Sequence, residues 1–135
     1  MALIDDIKKH EGFSPTVYQC TAGYDTIGYG QRIKYLKVTQ EQSEEWLKEE
    51  LQNLKYILAD KYNWFLPAPQ EVKDIVMNMN YQLGVTAFSK FKKTIKYIKV
   101  KDYKSASTEM LDSKWARDDT PNRAKELSDR MGNIE

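Results

Sequence analysis

The chain has 135 residues, of which 30% are charged and 41% hydrophobic, and its formal net charge is +1. This length suits a single domain, residues 1–135, with a core of its own. A nearly neutral chain has no overall electrostatic attraction to nucleic acid or to a membrane surface, so we expect neither as a partner. One cysteine, Cys20, excludes an intramolecular disulfide. The fold must therefore be stabilised by packing alone.

The first ten residues predict an amphipathic helix. Leu3, Ile4 and Ile7 share one side, with acids and lysines on the other, and Gly12 is a stop signal after a helix that ends near His10. These charges interrupt the apolar run that an export signal needs, and no later run is long enough to cross a membrane. We therefore expect synthesis in the cytoplasm without a signal peptide and no stable membrane insertion.

A β-hairpin is predicted directly after this helix, because strand-forming residues flank the turn formers Ala22-Gly23. Gly23 is the midpoint between Cys20 and Thr26. If the hairpin turns at Gly23, these two side chains are cross-strand neighbours with Cβ atoms roughly 5 Å apart. Glu11, at the junction of helix and hairpin, would then stand opposite the pair.

The rest of the chain reads as helices. Thr39 and Gln42 form a plausible capping box at the start of a long helix that runs to about Lys61. Pro69 is placed at the first position of the next helix, which Gly84 ends. Three further helices are predicted from apolar spacing: one over Phe88, Phe91, Ile95 and Ile98, one over 103–116, and one from Pro121 to about Met131.

The spacing Glu11-x8-Cys20-x5-Thr26, set in HEGFSPTVYQCTAGYDTIGYG (10–30), resembles the catalytic triad of phage-type lysozymes, the endolysins of the T-even-phage class in glycoside hydrolase family 24. MNMNYQLG (77–84) and SKWARDDTPNRAK (113–125) resemble later helical segments of that family, in the same order. In the family the middle residue is usually Asp, and Cys occurs in some members.

The resemblance implies an α+β, mainly α, lysozyme-like fold. A small hairpin lobe (about 12–38) would be joined by a connecting helix (about 39–61) to a helical lobe (about 69–135), on which the first helix packs. It also implies a monomeric N-acetylmuramidase that needs no cofactor or metal and hydrolyses the β-1,4 bond between N-acetylmuramic acid and N-acetylglucosamine in peptidoglycan. The enzyme would act on the cell wall after release through a phage holin.

The resemblance assigns roles to the three spaced residues. Glu11 would be the general acid and Thr26 would hold the attacking water, in the inverting geometry with acid and base roughly 6.5–9.5 Å apart. Three interpretations of Cys20 are open: it is a thiolate that replaces Asp, it is a neutral spacer that helps to place the water, or it indicates that activity has been lost. Without the resemblance, Glu11 reads as a surface glutamate and Thr26 as a strand residue.

Two further groups follow from the resemblance. Residues expected to support the glutamate are Gln82, Trp115 and Arg123, and residues expected to bind sugar are Arg32, Tyr81 and Phe91. For the aromatic residues Tyr81, Phe91 and Trp115, a role as an ordinary core residue is at least as consistent with the sequence. Between Gly30 and Thr39 the chain is shorter than the best-known members, so we expect no room for their extra strand and small helix, and a reduced upper wall of the cleft.

Two other functions remain open on the sequence. A cysteine amidase or peptidase would use Cys20 as nucleophile and would need the single histidine, His10, as its partner. A non-catalytic lysozyme fold would bind wall glycan without cleaving it. In addition, seven lysines, here called the lysine cluster, crowd one region, either as a solvated face or as a surface that approaches an anionic wall: Lys90, Lys92, Lys93, Lys96, Lys99, Lys101 and Lys104.

Overall fold

The computed structural model describes residues 2–135 and contains seven α-helices and one three-stranded antiparallel sheet among them. The predicted α+β, mainly α, lysozyme-like fold is confirmed. The helices are α1 (Ala2–Glu11), α2 (Gln40–Lys61), α3 (Gln70–Leu83), α4 (Val85–Phe88), α5 (Lys92–Lys99), α6 (Tyr103–Leu111) and α7 (Pro121–Gly132). The strands are β1 (Ser14–Gln19), β2 (Asp25–Gly28) and β3 (Gln31–Arg32).

The chain divides into two compact units, Met1–Glu44 and Glu45–Glu135, with the boundary inside α2. The predicted lobe limits, and the packing of the first helix on the helical lobe, stay predictions. No helix within residues 2–135 combines the length and the apolar character needed to cross a bilayer.

α1 ends one residue later than predicted, at Glu11, and Gly12 terminates it as expected. Gly12 adopts φ +69°, and its amide donates to the Lys8 carbonyl at 2.9 Å. This left-handed residue lets the chain leave the helix and enter β1 two residues later. Glu11 is therefore the last residue of a helix, held directly before the sheet.

The hairpin between β1 and β2 turns one residue earlier than predicted. Tyr18 pairs with Thr26, and the Cys20 amide donates to the Tyr24 carbonyl at 3.0 Å, so the loop is centred on Ala22. Gly23 supplies the left-handed residue, with φ +82°, that closes this three-residue loop. Cys20 and Thr26 are thus diagonal neighbours on one face and not directly opposite each other. The prediction of a direct pair was wrong because the glycine ends the loop instead of centring it.

The prediction that no extra strand or small helix follows the hairpin was also wrong. β3 pairs with β2 through Thr26 opposite Arg32 and Ile27 opposite Gln31, and a 3-10 turn covers Ile33–Tyr35. Both elements are short, two and three residues, so they fit into a segment that is too brief for a longer strand or an α-helix.

The capping box at the start of α2 is present as predicted. The Thr39 hydroxyl accepts from the Gln42 amide at 3.1 Å, and the Gln42 side chain accepts from the Thr39 amide at 3.1 Å. Two otherwise unpaired backbone donors are satisfied in this way. Further along α2, Leu54 and Leu58 are buried.

The apolar core lies in the second unit, where the buried side chains come from α2, α3, α4, α5, α6, α7 and the segments between them. On α3, Val72, Ile75, Val76 and Met79 form a buried apolar stripe, and Gly84 ends the helix as predicted, with φ +89°. Pro69 precedes α3 instead of opening it.

Two predicted helices were too long. The helix predicted over 88–98 is two helices, α4 and α5, because the chain turns between Phe88 and Lys92 and Phe91 caps α5. The helix predicted over 103–116 stops at Leu111, and a π-helical turn, Trp115–Asp119, follows it. Apolar spacing continues across both breaks because both sides pack on the same core, so periodicity alone does not reveal them.

Candidate active site

Thr26 is the central residue of the three-stranded sheet and is only 2% exposed. It lies in β2 between Tyr18 of β1 and Arg32 of β3. Its hydroxyl donates to the Tyr24 carbonyl at 2.8 Å. A hydroxyl has one hydrogen, so the lone pairs of Oγ1 remain free to accept a hydrogen bond. Thr26 can therefore hold a donor such as water or a thiol.

Cys20 lies at the end of β1, half-buried, on the same face as Thr26. The backbone amide of Tyr24, followed by that of Ala22, hydrogen-bonds to the thiol and lowers the pKa of Cys20 below its ordinary 9.0. The positive charge of Arg32 lowers this pKa further, while burial opposes the shift. Because the two backbone amides and Arg32 favour the anion, Cys20 is more readily a thiolate than an ordinary cysteine.

Glu11 ends α1 with its carboxyl against the backbone of Gly30. A Cβ atom placed on Gly30 would lie 2.5 Å from Glu11 Oε2 and 2.7 Å from its Cδ. Only glycine leaves room for this approach, and Gly30 also adopts φ +75°, which favours glycine. The turn between β2 and β3 thus shapes the place that the carboxyl occupies.

The three spaced residues are arranged around β2. Glu11 touches Gly30, just beyond the C-terminal end of the strand, Thr26 is in the strand, and Cys20 pairs with Tyr24 just before its N-terminal end. An acid and a thiol with a lowered pKa therefore lie toward opposite ends of a short strand, with a hydroxyl acceptor between them. Separated acid and base groups of this kind suit chemistry in which a water enters between them.

Arg32 lines a cavity of about 410 Å³ in the first unit. Its guanidinium lies 3.9 Å from the centre of the Tyr24 ring, a cation–π contact. Tyr35, from the 3-10 turn, lines the same cavity. β3 and the 3-10 turn, which were not predicted from the sequence, therefore provide part of the wall of this cavity.

Gln82 and Trp115, in the second unit, form one hydrogen-bonded network. The Trp115 indole N–H donates to Gln82 Oε1 at 2.9 Å, and the Gln82 amide donates to the Thr120 hydroxyl at 3.0 Å. Trp115 is 2% exposed. Thr120 directly precedes α7, but its hydroxyl binds Gln82, and α7 has no side-chain cap.

Arg123 is half-buried and binds Asn78, a residue that the sequence did not single out. The guanidinium donates to the Asn78 side-chain oxygen through Nε at 2.9 Å and through Nη2 at 2.6 Å. It also donates to the Asn78 carbonyl at 3.3 Å. This fork fixes α7 to α3, and no spacing rule links positions 45 residues apart.

Phe91 lines a cavity of about 430 Å³ and packs edge-on against Trp115, with ring centres 6.0 Å apart. Glu109 and Asp112 line the same cavity and were not predicted as site residues. Tyr81 is 50% exposed, so it is not a core residue. Among residues 2–135, no cluster of three His, Cys, Asp or Glu side chains could hold a metal ion.

Comparison with known proteins shows the family of the chain. The model of the phage lysozyme family matches residues 8–131. The chain is also 32% identical, over 114 residues, to an endolysin of Acyrthosiphon pisum secondary endosymbiont phage 1, covering 82% of this chain and 75% of the endolysin. The chain belongs to the phage lysozyme family.

Within the chain, the matched region contains every residue that the sequence singled out, from Glu11 to Arg123. The residues that were missed are partners of those: Gly30 as the surface under Glu11, Asn78 beside Arg123, and Thr120 beyond Gln82. Gly30 carried a signal, since a glycine in TIGYG marks a close backbone approach. Asn78 carried none.

Proposed function

We propose that this phage lysozyme is an inverting N-acetylmuramidase of glycoside hydrolase family 24, which hydrolyses the β-1,4 bond between N-acetylmuramic acid and N-acetylglucosamine in peptidoglycan. The observation that supports this most is the distribution of Glu11, Thr26 and Cys20 around one short strand. Family membership and the similarity to a protein named endolysin support the same substrate.

Glu11 is proposed as the general acid. Its carboxyl would give a proton to the glycosidic oxygen as the bond from the sugar C1 to that oxygen breaks, so that the leaving sugar departs as a neutral alcohol. The carboxylate left behind regains a proton from solvent. The exposure of Glu11 allows this exchange.

Cys20 and Thr26 are proposed to activate the water. One hydrogen of the water would bind Thr26 Oγ1, whose own hydrogen is donated to Tyr24. The other hydrogen would point to the Cys20 thiolate, which takes that proton as the water oxygen bonds to C1 on the face opposite the leaving group. The product sugar would carry the inverted configuration. Cys20 then serves as a base in place of Asp, and the thiol formed returns its proton to solvent before the next turnover.

The decisive experiment measures new reducing ends released from purified peptidoglycan by the native protein and by Glu11→Gln. A positioned general acid contributes about 10²–10⁴-fold, so we expect a loss of that size with unchanged binding. Glu126→Gln, an exposed acid on α7, is the matched control and should retain full activity. Equal release by Glu11→Gln would disprove the assignment, and equal inertness with retained binding would favour the non-catalytic glycan-binding protein.

A cysteine amidase is a second candidate, favoured by one observation, the lowered pKa of Cys20. Such an enzyme would form a covalent bond between Sγ and a peptide carbonyl and would release new amino groups instead of reducing ends. Cys20→Asp separates the two. It should preserve release of reducing ends by a lysozyme and abolish release of amino groups by an amidase.

The biological setting belongs to the same proposal. We infer that the protein is made in the cytoplasm of a bacterial host, crosses to the wall through a holin and lyses the cell as a monomer. Expression in bacteria with and without a holin tests this. Lysis should require both the holin and Glu11, and lysis by the protein alone would contradict it.

A further inference from the structure

The lysine cluster concentrates positive charge on one side of an otherwise acidic chain. Residues 90–104 carry seven lysines against one acid, Asp102, a surplus of six charges, so the remaining residues carry a net charge of −5 to give the overall +1. Asp102 is already engaged, because its carboxylate accepts from the Ser105 amide and hydroxyl. The positive charge therefore has no local neutralising partner on its own segment.

All seven lysines of the cluster are exposed. None of them takes part in the ion pairs found within residues 2–135. The opposite side of α5 packs on the core, where Thr94 and Ile98 are buried. The helix therefore has no apolar face left with which to insert into a lipid layer, which favours a water-borne anionic chain over a membrane.

An aromatic cavity lies at the C-terminal end of α5. This Trp64 cavity has a volume of about 380 Å³ and lies between the segment 60–64 and the side chains of Ile95 and Lys99. Tyr62 and Trp64, both half-buried, lie with ring centres 4.9 Å apart. Aromatic faces beside polar groups such as Asp60 and Asn63 provide the mixed apolar and hydrogen-bonding lining that ligand sites use.

The Tyr62 hydroxyl is the second unusual feature of the Trp64 cavity. Its oxygen is buried and has no hydrogen-bond partner in the described part of the chain. A buried polar atom without a partner costs free energy.

We propose that the Trp64 cavity and the lysine cluster together form a second, non-catalytic binding site for peptidoglycan. A sugar ring packs against Trp64 and Tyr62, and the carboxylates of the stem peptides pair with the lysines along α5. The eight residues of α5, Lys92–Lys99, cover about 12 Å of helix, and Lys92 and Lys93 line the cavity beside Phe91 at the other end. One strand of peptidoglycan can thus contact both cavities. The inference rests on the proposed substrate.

The test measures binding in the Glu11→Gln background, so that turnover does not enter. The cluster variant is Lys96→Gln/Lys99→Gln/Lys104→Gln, and the control is Lys9→Gln/Lys37→Gln/Lys55→Gln, which removes the same charge from exposed lysines elsewhere. Sedimentation with purified peptidoglycan should give a dissociation constant about tenfold higher for the cluster variant, equivalent to about 1.4 kcal/mol. The control should change less than twofold.

Peptidoglycan whose carboxylates have been converted to amides provides the second arm. The difference between the two triple variants should disappear on this substrate, which no longer carries the carboxylates. Equal weakening of both variants, no weakening of either, or a difference that persists on the amidated material would each overturn the proposal. Tighter binding to phosphatidylglycerol vesicles than to peptidoglycan at physiological salt would overturn it in favour of a membrane.

A third arm addresses the aromatic half of the site. Trp64→Leu keeps an apolar side chain against the core but removes the aromatic face, whereas Trp64→Phe keeps one. We expect weaker binding for the leucine variant and near-native binding for the phenylalanine variant, with folding checked by circular dichroism. Equal binding by both would remove Trp64 from the site. Failure of the catalytic proposal would be seen separately, as undiminished hydrolysis by Glu11→Gln.

Discussion

Glu11 owes its position to the absence of a side chain at Gly30. The carboxyl approaches the Gly30 Cα so closely that a methyl group there would overlap Oε2 and Cδ. Gly23 has a similar left-handed conformation, φ +82°, but open space around its missing side chain. Substitution of each glycine in turn therefore distinguishes the effect of backbone strain from the effect of displacing the acid.

Gly30→Ala is expected to abolish most of the activity, because the new methyl group pushes the proposed acid away from its place. Gly23→Ala should leave activity near native. Both should lower stability by about 1–2 kcal/mol, since alanine is strained in the left-handed region. Reducing-end assays and urea unfolding of both variants check this. Equal activity losses would show that strain, and not the carboxyl position, matters.

Cys20 sets the expected pH dependence. As a base it must be deprotonated, so activity should fall as pH decreases through the thiol pKa, which lies below the ordinary 9.0. An aspartate, with an ordinary pKa of about 3.9, stays ionised to much lower pH. Cys20→Asp should therefore move the acidic limb of the pH–rate profile to lower pH. An unchanged acidic limb would mean that Cys20 is a spacer and not the base.

At the scale of single elements, α2 shows how a local signal fixes a helix start. The reciprocal hydrogen bonds of Thr39 and Gln42 depend only on residues three apart. Most of the first half of α2 is exposed, and its buried residues come only at Leu54 and Leu58. The first turns therefore depend on the cap more than on packing.

Thr39→Ala should lower the free energy of unfolding by about 1 kcal/mol, the usual cost of losing such a cap. Thr108→Ala is the control, because that exposed hydroxyl donates to a helix carbonyl, Lys104 O, and caps nothing. Thermal and urea unfolding compare the two. Similar losses in both variants would show that the capping box contributes little.

At the scale of the whole molecule, tertiary hydrogen bonds join elements that are far apart in the chain. Gln82 of α3, Trp115 of the π-helical turn and Thr120 before α7 form one chain of donors and acceptors. Arg123 and Asn78 join α7 to α3 beside it. These bonds hold together the elements that carry the predicted support residues.

Trp115→Phe should lower stability by about 1–3 kcal/mol, because the partly buried Gln82 oxygen loses its donor. The loss should be coupled to Gln82→Leu, so that the double variant is less destabilised than the sum of the single variants by at least about 0.5 kcal/mol. Urea unfolding of the three variants measures this. Strict additivity would show that the two side chains do not act as one network.

The amino-acid sequence by itself determined the features that depend on neighbours in the chain. The capping box, the glycine ends of α1 and α3, the apolar stripe of α3 and the proline start of α7 all follow from local backbone chemistry. Triad spacing also pointed to the family, which the match over residues 8–131 confirmed. The α+β, mainly α, character was implied by the same resemblance to the family.

Only the tertiary structure decided the rest. The hairpin centre, β3, the break before α5 and the π-helical turn depend on which backbone groups find partners, and apolar periodicity does not report this. The contact of Glu11 with Gly30 and the binding of Asn78 by Arg123 join residues from different elements. The lowered pKa of Cys20 likewise depends on groups outside β1. Such contacts are set by folding in three dimensions, and of them only the close approach at Gly30 carried a signal in the sequence.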